Sequence, residues 1–103
     1  MSFSASPNTQ SPRPLFHLGQ IVATPDAFRL LERSNTDVID LLMRHAKGDW
    51  GVVCAADARS NDRAVVDGTR ILSAYELGAR REHLWIITEA DRRVTTLLLP
   101  DEY

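Results

Sequence analysis

A chain of 103 residues, 44% hydrophobic and 25% charged, suits a single globular domain with one modest core. Its 12 basic and 14 acidic side chains leave a net charge of −2, so bulk charge supports neither a nucleic-acid partner nor an anionic membrane surface. The single cysteine, Cys54, excludes an internal disulfide and a thiolate metal cluster and points to a reducing, cytoplasmic home.

Residues 1–14, rich in Ser, Pro, Asn and Gln, lack the apolar side chains that offset the entropy of ordering and read as a disordered tail. They hold no apolar run flanked by basic residues, so no secretory signal is expected, and no stretch of the chain is apolar for long enough to span a membrane. The domain should occupy 15–103. LFHLGQIVA (15–23) reads as a first strand with a bend at Gly19. Thr24, Pro25 and Asp26 form a helix start: a hydroxyl cap, a ring with preset φ, and an acid in the first turn. Phe28, Leu30 and Leu31 are its expected buried stripe.

A second helix begins near Thr36 and Asp37. Val38, Leu41, Leu42 and His45 share one face at helical spacing, and Ile39, Met43 and Ala46 extend a neighbouring stripe. Gly48 should end it in the left-handed region. A third helix, 55–67, starts after Cys54 and stops at Gly68; its apolar content is thin, and Val65 and Val66 are its expected anchors. Three aromatic and β-branched runs follow, 70–77, 83–88 and 93–99, joined by short polar links that imply an antiparallel meander. The expected fold class is therefore α+β: a three- to four-stranded antiparallel sheet packed on one face by two to three helices. If the last strand is an edge, its LLL row (97–99) could pair with a second copy in a homodimer.

Three places carry chemistry-bearing residues. In MRHAKGDWG (43–51), His45 sits in the last turn of a helix and Asp49 follows just past the glycine stop. The pair could form a general base with an orienting carboxylate; equally, His45 continues an apolar face and Trp50 caps the core. TEADRR (88–93) gathers Glu89, Asp91, Arg92 and Arg93 at a turn, a functional loop or simply a solvated hairpin. Arg80 and Arg81 in LGARREH (77–83), near Arg70, could meet a phosphate or an acidic partner, although Glu82 dilutes the cluster. The catalytic candidates are His45, Asp49 and Arg92, and the binding candidates are Trp50, Arg80, Arg81, Glu89, Asp91 and Arg92. No metal is expected, because His17, His45 and His83 have no ligand spacing. No nucleotide cofactor is expected either, since GxxxxGK[ST], GxGxxG and GxSxG are absent. Cys54, at a helix start without a cationic neighbour, reads as a small buried side chain rather than a nucleophile.

FHLGQIVATP (16–25), LLMRHAKGDWG (41–51), RILSAY (70–75) and WIITEADRRVTTLLLPDEY (85–103) together resemble a family of small proteins carried on bacterial plasmids, integrative elements and prophages, often labelled plasmid-related. The resemblance covers about 15–103 and rests on GDWG and on TEADRxVTTxLLPxEY. It implies a mobile-element context and a cytoplasmic home, and it carries over no catalytic residue. Two functions follow as expectations. One is an interaction protein without catalysis, binding a host-defence or element-encoded protein partner. The other is a small ribonuclease or toxin-like enzyme with His45 as general acid or base, Arg92 or Arg80 on phosphate, and Thr95 or Ser73 orienting substrate, which is an analogy of fold alone.

Overall fold

A hydroxyl at Thr24 turns the chain from strand into helix. In the computed structural model, which describes residues 13–103, the strand β1 (Gln20–Ala23) is followed at once by the helix α1 (Pro25–Arg33). The Thr24 side chain accepts from the Ala27 amide at 3.1 Å, which satisfies one of the orphan donors of the first turn. The expected tail lies outside the described residues, apart from exposed Arg13 and Pro14. Asp37 caps the helix α2 (Val38–Ala46) in the same way through the Ile39 amide at 2.9 Å. The helix α3 (Ala55–Asp67) ends at left-handed Gly68. The meander then runs through β2 (Ile71–Leu77), β3 (Glu82–Thr88) and β4 (Val94–Leu98) into a 3₁₀ turn, Pro100–Glu102. The fold is α+β, as the order of elements predicts.

The sheet order is β1-β4-β3-β2. The meander pairs are antiparallel, but β1 runs parallel to β4, so the sheet is mixed rather than wholly antiparallel. Three helices and two strands separate β1 from its sheet neighbour, and a connection of that length leaves either polarity open. The condition for pairing through the last strand, that it be an edge, is not met: β4 lies between β1 and β3, and Leu97 is wholly buried. Homodimerisation through β4 is therefore closed. The first strand is also shorter than its apolar run. Residues 15–19 approach β4 without pairing, because Phe16 turns into the core and Gly19 (φ +68) brings its backbone against the Arg92 and Arg93 carbonyls. A Cβ on Gly19 would stand 2.2 Å from the Arg93 oxygen.

One face of the sheet packs on α1 and α2 through Ala27, Leu30, Leu31, Leu41, Leu42, Tyr75, Leu77, Leu84, Ile86 and Leu97. Complete burial of each large apolar side chain contributes about 1.5–3 kcal/mol. A second cluster, Phe16, Trp50, Ala64 and Ile71, sits under α3. The helices are narrower in their buried stripes than the spacing suggests. Ala27 takes the inward position expected of Phe28, which is 56% exposed, and Ile39 and Met43 face outward. On α3 the buried anchors are Asn61 and Ala64; of the two expected valines, Val65 is half-buried against the second cluster, whereas Val66 is 84% exposed.

The two edges of the sheet are treated differently. Along β2, Asn61 grips both backbone groups of Leu72, its amide nitrogen donating at 2.8 Å and its oxygen accepting at 3.2 Å. Two residues on, the Ala74 amide donates to the Trp50 carbonyl at 3.1 Å and the Val52 amide donates to the Ala74 carbonyl at 2.7 Å. The outward groups of Leu72 and Ala74 on β2 are thus occupied. That closure depends on Gly51 (φ +77), where a Cβ would fall 1.9 Å from the Ala74 oxygen. Gly51→Ala should cost about 3 kcal/mol or more in urea denaturation, combining left-handed strain with a backbone clash. Val66→Ala should stay within about 0.5 kcal/mol.

Candidate functional site

The His45 ring is fully buried between α2 and the sheet, edge-on to Phe16 at 5.2 Å and to Trp50 at 6.1 Å. Its Nδ1 lies 2.6 Å from Ser73 Oγ on β2 and its Nε2 lies 2.9 Å from Thr88 Oγ1 on β3. Thr88 Oγ1 is 2.7 Å from Thr95 Oγ1 on β4, and Thr95 donates to the Leu18 carbonyl at 2.6 Å. That last carbonyl orders every proton in the chain. Thr95 has one hydroxyl hydrogen and gives it to Leu18, so Thr88 must donate to Thr95, and Nε2–H must donate to Thr88. A neutral ring has one N–H, so Nδ1 accepts from Ser73. Burial pushes the His45 pKa from 6.5 down to about 4, and the Arg92 charge adds to the effect. A charged ring would also need Ser73 to turn its own hydrogen elsewhere.

Asp49 does not orient His45. Its carboxylate takes Arg44 Nε at 2.7 Å and the Gly51 amide at 3.1 Å. The Arg44 hydrogen bond holds Asp49 below the usual carboxylate range. Arg44 also stacks over the Tyr75 ring at 4.6 Å, and the Tyr75 hydroxyl, pushed up to about 12 by burial, donates to the Asp49 carbonyl at 2.6 Å. Trp50 is buried and its Nε1 donates to Asp62 at 3.0 Å, tying the corner to α3. MRHAKGDWG is thus a packed junction at the end of α2, with His45, Asp49 and Trp50 turned towards three different sets of partners.

Arg92, expected on a phosphate, grips backbone instead. It donates to the carbonyls of Ala64 (2.9 Å), Thr69 (2.7 Å) and Glu89 (3.1 Å), and its guanidinium lies 5.4 Å from the Phe16 ring centroid. Ala64 belongs to the last turn of α3, where free carbonyls and the helix dipole favour a cation. Asp91 accepts from the Arg93 amide at 3.0 Å, and the Glu89 carbonyl accepts from the Arg92 amide at 2.9 Å, so the 88–93 loop is a self-bonded turn. Arg80 and Arg81 are exposed at the β2–β3 tip, far along the strand from His45, and Glu82 there pairs with Arg33 at 2.6 Å. Thr95 and Ser73, expected to orient substrate, are the buried hydroxyls of the His45 chain. Cys54 is exposed rather than buried and makes no side-chain cap to α3. Among the described residues no three His, Cys, Asp or Glu side chains converge as metal ligands, and no helix is long and apolar enough to cross a membrane.

An open apolar feature of the surface lies elsewhere. A groove of about 370 Å³ runs between β1, α1 and the start of α2, lined by Ile21, Val22, Phe28, Leu31, Val38 and Leu97. Ile21 and Val22 remain 41% and 37% exposed. Hydrophobicity alone places Phe28 in the core, so the groove is not expected from the sequence. The signal was available in the surplus: α1 carries four apolar residues, Ala27, Phe28, Leu30 and Leu31, and a nine-residue helix packed on one side buries only the three that share a face.

The neutral His45 ring makes stability depend on pH. The unfolded chain takes up a proton at 6.5 and the folded chain only at about 4, so this contribution is complete above 6.5 and is lost as pH falls towards 4. The loss amounts to about 3 kcal/mol and is readable in urea titrations across that window. A His45→Ala protein should lose this pH slope and be less stable by about 3 kcal/mol or more at neutral pH, with the buried Ser73 hydroxyl left without its acceptor and Thr88 without its donor.

No family model matches the chain, and neither a curated protein nor a solved structure shows significant similarity to it.

Proposed function

We propose that this is a small accessory protein of a mobile genetic element that acts in the cytoplasm by holding a protein partner, either to block host defence or to regulate the element, and that it catalyses no reaction. The groove beside β1 carries this reading. Isolated exposed apolar residues are ordinary on a folded surface, but Ile21, Val22 and Phe28 line one concave face together. Concave apolar surface of this kind is where a partner gains most from displacing water. The groups that sequence alone offered for catalysis support the same reading from the other side. The ring of His45 has both nitrogens occupied and no exposed atom, and Arg92 directs its donors at carbonyls of its own chain. The mobile-element context comes from the resemblance carried by GDWG and the 88–103 stretch.

Phe28→Glu places a charge in the groove without disturbing the buried stripe of α1. Tagged wild-type protein expressed in a bacterial host that carries the element should retain one protein at near-stoichiometric yield, and Phe28→Glu should lose it. Retention of the same protein by both forms would move the binding surface elsewhere, and a clean purification of both at high expression would end the interaction reading.

A further inference from the structure

β1 closes the sheet on its outer side, and among the described residues nothing pairs with that side. Gln20 and Thr24 donate their amides inward, to the Arg93 carbonyl at 2.8 Å and the Leu97 carbonyl at 3.0 Å. By the alternation of a strand, Ile21 and Ala23 turn their N–H and C=O groups outward, two donors and two acceptors in a row. Sheet edges of this kind are normally blunted with a charge, a proline or a bulge. QIVA has none of these, whereas β2 at the other end is covered by Asn61 and the 50–52 segment. The apolar groove lies beside the uncovered edge. Backbone groups of that spacing match an extended strand and do not match a helix, whose own amides are already paired.

The charge around the groove narrows the occupant further. Glu32 is the ionisable side chain in its lining and, among the described residues, makes no salt bridge. Asp37 stands between the lining residues Thr36 and Val38, and Glu102 bonds Thr24 at 2.8 Å, immediately after Ala23. The neighbouring cations are already paired, Arg29 with Asp26 and Arg33 with Glu82. A second copy brought edge to edge across a two-fold would set the same acids beside one another.

We infer that the free edge of β1 and the groove behind it take an extended segment of a partner protein, apolar at alternate positions and basic where it meets Glu32. This deepens the interaction reading above and rests on it. The segment adds as a fifth strand: its backbone bonds Ile21 and Ala23, alternate side chains enter between Phe28 and Val38, and a Lys or Arg approaches Glu32.

Phage-displayed random short peptides selected on the purified protein, with the Phe28→Glu protein as counter-selection, test this directly. Enriched peptides should alternate apolar residues, carry Lys or Arg and lack Pro in the paired stretch. A synthetic copy of the strongest one should weaken about fivefold or more on Glu32→Lys, an exposed change that leaves the fold intact. Its binding should slow hydrogen exchange of the Ile21 and Ala23 amides about tenfold or more. Acidic or helical ligands, indifference to Glu32→Lys, unprotected Ile21 and Ala23 amides, or no enrichment over the counter-selected protein would each overturn the inference. So would a doubled mass in light scattering with those amides already protected, since a second copy would then fill the groove. A cellular partner that is lost on Phe28→Glu, alongside any of these failures, would leave the interaction reading standing and remove only the strand-addition one.

Discussion

Four side chains and one carbonyl, linked as Ser73, His45, Thr88, Thr95 and Leu18, hold the two halves of this molecule together. The chain of bonds begins on β2, passes through a helix, crosses β3 and β4, and ends on the segment that leads into β1. It lies between the two apolar clusters, where a wholly hydrophobic joint could slide and a polar one with fixed donors cannot. Each member has its proton assigned by the next, so no link can be reversed without leaving a buried group unpaired. A shift of α2 along the sheet would break both ring contacts together.

The same constraint explains why the chemistry-bearing residues do not form a site. Histidine is there because it is the side chain that can accept at one nitrogen and donate at the other while filling an aromatic space beside Phe16 and Trp50. Arg92 belongs to the same construction from outside: it closes the last turn of α3, lies over Phe16, and its charge helps to keep the ring neutral. Arg44, Asp49 and Tyr75 brace the loop that carries Trp50 to α3. In this half of the protein the polar groups set geometry. The surface on the β1 side has the opposite character, with apolar side chains exposed and, among the described residues, the outward backbone groups unpaired.

Much of the fold could be read from local patterns. Thr24-Pro25-Asp26 announces α1, the spacing of Val38, Leu41, Leu42 and His45 announces the inner face of α2, Gly68 ends α3, and the alternating C-terminal runs announce the meander. Each of these signals acts over a few residues, which is the range that periodicity and capping can report. What could not be read depends on distant partners. His45 meets hydroxyls 28 and 43 residues away, so its nearest acid in sequence, Asp49, gave a false pairing. The interior position of β4 is fixed by a strand more than seventy residues earlier, Gln20 facing Val94. Phe28 is hydrophobic and helical, and only the neighbour it lacks shows that it is a surface residue.

The sealing of β2 by Asn61 and the Trp50–Val52 segment has a further consequence for self-association. A protein with two exposed edges can polymerise, since every subunit added offers a fresh place for the next. Here the β2 end of the ladder is covered over Leu72 and Ala74, so two copies that met through β1 would both turn that covered strand outward.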